Sequence, residues 1–429
     1  MQRKLTLSQR VVKGEIHMKR REESIKRLGM LDGLHFGTFA VVNGFMPAYF
    51  VANGLSNTGL SITMAALNAL GFVGAFFWGR VCDRRETNKG VYTPVYLAAT
   101  AAVIVSYLLT RVDVMLGALV FPLYGFFFFP LGSSLDAWMM RAFSQAEGGY
   151  GRARSMGSFG YAIMMLVAGW FIAGLGYASI PIMLAILSLP IFALVLTTRE
   201  TPYEKKGASE ADSAASEKGG SARLFHIAPF ITLLAVVLLC GLAISPVNNL
   251  KTVILSDVGG DVSWLGIDGF AGVMVQGAFV LASTHMASIP AHRRLRLMCV
   301  LITVSFVCTL LANGPALVVV GTIFYNASYG IMLPAMREMT EGYVPDDLRT
   351  TAHSLTDAAH GAAASSIALL YSGFMMDGLG VSAVLALGIA LSTTAFVITL
   401  TMGRRSVCKT ALARKRVASD KRAIAVMAR

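Results

Sequence analysis

The sequence predicts an all-α, polytopic membrane protein with twelve transmembrane helices in two six-helix halves. Three observations carry that prediction. The 429 residues are 55% hydrophobic and only 14% charged, with mean hydropathy +0.62, whereas a soluble chain carries about a quarter charged residues. The apolar residues fall into blocks of roughly 20 or more, long enough to cross a hydrocarbon core of about 30 Å. One long polar stretch, ETPYEKKGASEADSAASEKGGSAR at 200–223, separates two sets of six blocks. Its mixture of Ser, Ala, Gly and charge cannot bury a core, which predicts a disordered tether.

The elements follow in order. A basic segment, 1–29, precedes the first half, 30–197, whose spans are expected at 30–52, 59–79, 91–110, 113–137, 154–175 and 178–197. The linker occupies 198–225. The second half, 226–402, places spans at 226–256, 262–284, 296–312, 314–336, 352–375 and 379–402, and a basic tail fills 403–429. Asn53–Thr58 and Gly174–Tyr177 are short uncharged turns; Asn313-Gly314-Pro315 alone separates spans nine and ten. Asn248, Asn249 and Lys251 interrupt span seven just after Pro246. Six plus six suggests two structural repeats around a midplane site. The internal echo is slight: Asn43 precedes Gly54 by eleven residues, and Asn248 precedes Gly259 by eleven.

The net charge of +13 is concentrated at the ends. Residues 1–29 hold nine Lys/Arg against three acids, and the tail after Gly403 holds nine against Asp420 alone. Loops following even-numbered spans carry Arg80, Arg84, Arg85 and Lys89, then Arg141, Arg152 and Arg154, then Arg293, Arg294 and Arg296, then Arg337 and Arg349. In the loops following odd-numbered spans Arg111 is the one basic residue. This asymmetry predicts both termini in the cytoplasm, with attraction to lipid headgroups rather than nucleic acid; the short loops and the lack of a targeting segment point to a bacterial inner membrane. The first 29 residues are too polar for a signal-peptide core, and Met18 is a candidate alternative start. The cysteines (Cys82, Cys240, Cys299, Cys308, Cys408) show neither a disulfide framework nor metal spacing.

Two motifs carry chemistry. GRVCDRRETNK, Gly79 to Lys89, resembles the loop after helix two of the major facilitator superfamily: Gly79, Asp83, Arg84 and Lys89 match, while Glu86 stands where that family has Gly and Thr87 where it has a basic residue. The resemblance implies a gating role for Gly79, Asp83 and Arg84. The second motif spans Leu135 to Tyr161. Asp136 closes one span, Arg152 and Arg154 open the next, and charges at membrane depth mark a solute or ion path by default. The bland alternative is that both arginines are end charges and Asp136 their local partner. YGRARSMGSFGY resembles helix five of the oligosaccharide–proton symporter (lactose permease) group and its nucleoside and phenylpropionate porter relatives. Asp136 lies 18 residues before Arg154 and Tyr161 seven after it, the spacings of that group's acid and stacking aromatic. The resemblance implies that Asp136, Arg154 and Tyr161 bind solute, through a carboxylate accepting hydroxyls, a guanidinium donating to them and a ring face.

The second half departs from that group. Gln276 falls near a position where the group has a glutamate, and FYNASYGIMLP in span ten lacks the group's histidine and glutamate. Asn248, Gln276 and Tyr325 are expected to complete the solute site, with Asn326 and Tyr329 nearby. Asp357 and His360, three apart on span eleven, are the proton-coupling candidates. Asp32 and His35 repeat that spacing and read first as an interfacial pair. Asp268 is a further titratable group, and PLYGFFFFP (Pro122–Pro130) reads as lipid-facing and packing surface.

HExxH, Gly-x-Ser-x-Gly and Walker signatures are absent, which argues against an enzyme or an ATP-driven pump. The sequence thus predicts a monomeric, cofactor-free secondary transporter using alternating access. It would carry a small polar solute (sugar or oligosaccharide first) with protons. Nucleosides, aromatic acids and drugs are alternative solutes, and a non-transporting solute sensor is the rival outside transport.

Overall fold

The computed structural model describes residues 7–143, 149–200, 223–282 and 285–402. The basic tail and most of the predicted tether lie outside them. Among the described residues the chain is a helical bundle without strands. We number the long helices α1 (Leu7–Ala52), α2 (Asn57–Arg85), α3 (Lys89–Thr110), α4 (Val114–Ala142), α5 (Gly149–Leu175) and α6 (Ser179–Thr197) in the first half. The second half holds α7 (Ala228–Asn249, extended as Lys251–Asp257), α8 (Val262–Ala282), α9 (Ala291–Leu310), α10 (Pro315–Tyr343), α11 (Arg349–Leu379) and α12 (Val381–Met402). Eleven of these are long and apolar enough to cross a membrane by themselves. The remaining one, α9, opens on Arg293, Arg294 and Arg296, which lower its hydropathy. Large side chains such as Phe72, Phe76, Leu189 and Phe374 stay exposed on the outside of the bundle, as a lipid-facing surface requires.

The even-to-odd connections form a basic face; the odd-to-even turns form the opposite face. Gly54 (φ 87°) and Gly259 (φ 75°) turn the chain at equivalent corners after α1 and α7. The left-handed region there favours a residue without Cβ.

Three sequence expectations shift. From Leu7 onward the basic segment before the first span is a helical extension of α1, steadied by a Glu23–Arg27 pair at 2.6 Å one turn apart. The linker boundaries move inward. Glu200 Oε2 accepts from Thr87 Oγ1 (2.6 Å) and Oε1 from Lys89 N (3.2 Å), so this carboxylate caps α3. Leu224 is buried with Phe230, Val344 and Leu348. The aromatic run on α4 is interior: Tyr124 and Phe128 are buried, and in Pro122–Pro130 only Leu123 is exposed.

Glycines set the closest crossings. Gly29, Gly33 and Gly37, four apart on α1, face Met156, Gly160 and Met164 of α5, and a Cβ on Gly160 would strike the Gly33 backbone. In the second half the crossing of α7 and α11 sets Gly241 against the His360 carbonyl, and α11 carries a π turn there, Ala359–Ala363. Pro246 leaves the Leu242 carbonyl of α7 without its helical donor, and the Tyr371 hydroxyl donates to it at 3.0 Å.

The two halves meet towards the opposite face. A Cβ on Gly373 of α11 would collide with Asn57 and Thr58 of α2, Ser61 Oγ donates to the Leu369 carbonyl, and Gly169 of α5 rests on Gly266 of α8. Asp377 accepts from Thr58 N (2.8 Å), Thr58 Oγ1 (2.6 Å) and Asn57 N (3.2 Å), capping α2 across the seam.

Candidate functional site

Below that seal, a cavity of about 390 Å³ lies between the halves. From the first half α1 contributes Phe36, Phe39 and Asn43, and α5 contributes Arg154, Ser158, Tyr161 and Met165. From the second half come Asn248, Asn249 and Lys251 of α7, Asp268 and Gln276 of α8, and Thr322, Tyr325 and Asn326 of α10. Of the six residues expected to bind solute, Arg154, Tyr161, Asn248, Gln276 and Tyr325 line this space. Asp136 reaches Arg154 from α4 behind the wall. Asn43 and Asn248, the polar members of the internal echo, line the cavity from equivalent helices.

Arg154 is the hub of the first-half wall. Its Nε lies 3.4 Å from Asp136 Oδ1, its Nη1 lies 3.4 Å from Asp32 Oδ2, and its guanidinium carbon sits 4.3 Å from the centre of the Phe36 ring. Tyr150 donates from its hydroxyl to Asp136 Oδ1 at 3.2 Å. Asp32 is fully buried and its Oδ1 has no hydrogen-bond partner. Gly157 makes the arrangement possible, because a Cβ there would strike both Asp32 Oδ2 and Arg154 Nη1. About a third of the Arg154 and Asp136 side chains stays accessible (32% and 34%), which leaves the group reachable from the cavity and the basic face.

Asp32 does not pair with His35. The helix turns His35 into the α3–α4 aromatic layer, where Nδ1 lies 3.0 Å from the Tyr92 hydroxyl and the ring stacks on Phe128 at 4.4 Å. The reading of Asp32–His35 as an interfacial pair therefore gives way to a buried Asp32–Arg154 contact.

In the second-half wall, Asn248 Nδ2 donates to the Tyr325 hydroxyl at 2.7 Å. Lys251 Nζ donates to Thr322 Oγ1 at 2.7 Å, and that hydroxyl donates to Asp268 Oδ1 at 2.5 Å. Gly272 leaves room for Asn326.

Asp357 and His360 are not brought together. Arg337 Nη2 donates to Asp357 Oδ2 at 2.8 Å with both side chains nearly half exposed, and His360 Nδ1 sits 3.2 Å from the Val237 carbonyl. The π turn begins between them and changes the register that a spacing of three assumes. Neither lines the cavity. Gly79, Asp83 and Arg84 lie exposed at the basic end of α2. A Cβ on Gly79 would meet open space, so no helix packs closely against that glycine. Glu86 adopts φ 49° at the α2 C-cap, the position where the family loop has glycine. Among the described residues no three His, Cys, Asp or Glu form a metal-binding group.

The sequence reading did not assign the Asp32–Arg154 contact or the Lys251–Thr322–Asp268 chain. The available signal for the first was the glycine spacing 29/33/37, which places α1 against α5.

The family model described as MFS_1 like family matches residues 28–387. A maltose permease of Geobacillus stearothermophilus is 24% identical over 250 residues, 58% of this chain and 62% of that protein. The match thus spans less than two thirds of that relative's length. Among solved structures, a mutant of the nucleoside transporter NupG aligns with TM-score 0.77 at 16% identity, covering 89% of this chain and 99% of its own. A D-xylose–proton symporter aligns with TM-score 0.63 at 14% identity, covering 88% and 96%. At these identities the two structures show a shared fold.

Proposed function

The chain belongs to the MFS_1 like family, whose members are membrane transporters rather than enzymes, and from that premise we propose that it carries a neutral, hydroxyl-bearing organic solute together with one proton. A sugar or oligosaccharide is the first choice and a nucleoside the second. The observation that carries this reading is the charge set around the cavity. Asp32, Asp136 and Asp268 face Arg154 and Lys251, which sums to −1 when every group is charged. An uncompensated charge at membrane depth is costly. One proton removes it, and a neutral solute adds nothing back. Asp32 is the group that takes the proton, because it is fully buried and has a bare Oδ1. Protonation weakens its hold on Arg154, which frees N–H donors for solute oxygens.

Arg154, Asn248, Gln276 and Tyr325 supply donors and acceptors, and Tyr161 supplies a ring face for the C–H side of a sugar or for a base. The names of the maltose permease relative and of the nucleoside and xylose transporters point to the same solute chemistry. The basic face is the cytoplasmic one in this reading, so the cavity is open inward and sealed outward.

The test uses protein reconstituted in vesicles with a pH-sensitive dye and labelled maltose, D-xylose and uridine. A solute-dependent pH change, lost in Asp32→Asn while counterflow exchange persists, is the expected result. Uptake without proton movement in wild type would falsify the coupling. The same charge sum admits a second reading, a monocationic solute that itself brings the cavity to neutrality. Label movement for an organic cation, with no pH change and none for the sugars, selects it.

A further inference from the structure

The Lys251–Thr322–Asp268 chain shows how its two charges engage a hydroxyl. One face of the pair is occupied by Thr322, whose Oγ1 accepts from Lys251 Nζ at 2.7 Å and donates to Asp268 Oδ1 at 2.5 Å. The other face is incomplete. Asp268 Oδ2 lies 3.6 Å from Lys251 Nζ, beyond hydrogen-bond distance, and accepts no hydrogen bond among the described residues. Lys251 carries three N–H donors and has used one. Both side chains are enclosed, at 12% and 7% exposure, and both line the cavity. A carboxylate oxygen at the cavity wall and two ammonium protons therefore remain for an occupant of the cavity.

We infer that Lys251 and Asp268 form a hydroxyl-reading subsite in the second-half wall. An alcohol group of the solute bridges the 3.6 Å gap as Thr322 bridges the other side, accepting from Lys251 Nζ and donating to Asp268 Oδ2. The subsite selects an alcohol specifically. An ether oxygen cannot donate to the carboxylate, an ammonium cannot accept from the lysine, and a carboxylate on the solute meets Asp268 as a like charge. On the opposite wall Asn43 Oδ1, buried and without a partner, offers a second acceptor. The subsite lies apart from Gln276, eight residues further along α8, and from Arg154 across the cavity. It rests on the reading of a neutral hydroxylated solute and specifies which protein groups read one of its hydroxyls.

The test is equilibrium binding by calorimetry on the full-length protein in detergent, with maltose, D-xylose and uridine, each beside its monodeoxy analogues. For a parent that binds wild type, one monodeoxy analogue should bind about tenfold or more weakly. That ratio should fall below about threefold in Lys251→Met/Asp268→Asn, which removes both charges together and leaves neither stranded. Asp268→Glu provides the second variant. Its extra methylene closes the gap to Lys251 while keeping the charges, and the ratio should collapse there too. Unchanged ratios for every analogue in either variant overturn the subsite while leaving the solute class standing. Binding of a parent to wild type with no deoxy penalty at any position does the same. Failure of all three parents to bind wild type overturns the solute class, and the subsite with it.

Discussion

The two halves share a skeleton and differ in the chemistry hung on it. Equivalent asparagines, Asn43 and Asn248, line the cavity, and each is followed eleven residues later by a glycine at positive φ. Yet the first half gathers Asp32, Arg154 and Asp136 from α1, α5 and α4 into a net-negative cluster. The second half balances Lys251 against Asp268 from α7 and α8 through Thr322 of α10. The helix crossings differ as well, with glycine on glycine between α1 and α5 and a π turn over Gly241 between α7 and α11. Repetition in such a fold constrains where the chain bends and where helices touch. The charges are free to diverge, and that divergence separates a net-negative wall from a balanced one.

Six substitutions, in four tests, break or sharpen the contrast, in falling order of effect. Arg154→Ala strands two carboxylates, one fully buried, and should cost about 3–5 kcal/mol along with all proton-coupled uptake. Lys251→Ala strands only Asp268, which keeps the Thr322 hydroxyl, and should cost less. Equal unfolding midpoints for the two variants would erase the proposed difference. Gly160→Val drives a side chain into the Gly33 backbone and should cost about 1–3 kcal/mol, whereas Gly361→Ala, which enters open space, should be nearly neutral. Similar yields of monodisperse protein for both would mean that α1 and α5 are not in glycine contact. Glu86→Gly relieves a left-handed backbone at the α2 C-cap and should stabilise by up to about 1 kcal/mol; a lower thermal midpoint speaks against strain there. Asp357→Asn removes a half-exposed pair with Arg337 and should change the solute-dependent pH signal by no more than about twofold. Loss of that signal returns coupling to α11.

The number and order of the helices were legible because apolar length and loop charge are local properties. That Asp136 meets Arg154, and that Arg154 and Tyr161 line one cavity, was legible because their spacings lie within one hairpin. Asp32 was visible as a charge but not as a partner, since its contact with Arg154 depends on α1 and α5 crossing at glycines 29, 33, 37, 157 and 160. The Lys251–Thr322–Asp268 chain needs three helices to converge across sequence separations of 54 and 71 residues, which no local pattern encodes. The expected shared face of Asp357 and His360 is missing for a similar reason. A spacing of three implies a shared face only on a regular helix, and the π turn intervenes.

The contact of Gly160 with Gly33 leaves no cushion of side chains between α1 and α5, so the two helices behave mechanically as one beam. The seal at Gly169 and the guanidinium of Arg154 are 15 residues apart on that beam, an arm of about 22 Å. Pivoting by about 3° at the seal swings the far end through about 1 Å, enough to make or break a hydrogen bond at Asp136. Asp32 rides on the same beam. A pivot about that seal would thus retune the Asp136 contact more than the Asp32 contact, so the two carboxylates act as a gauge and its reference mark.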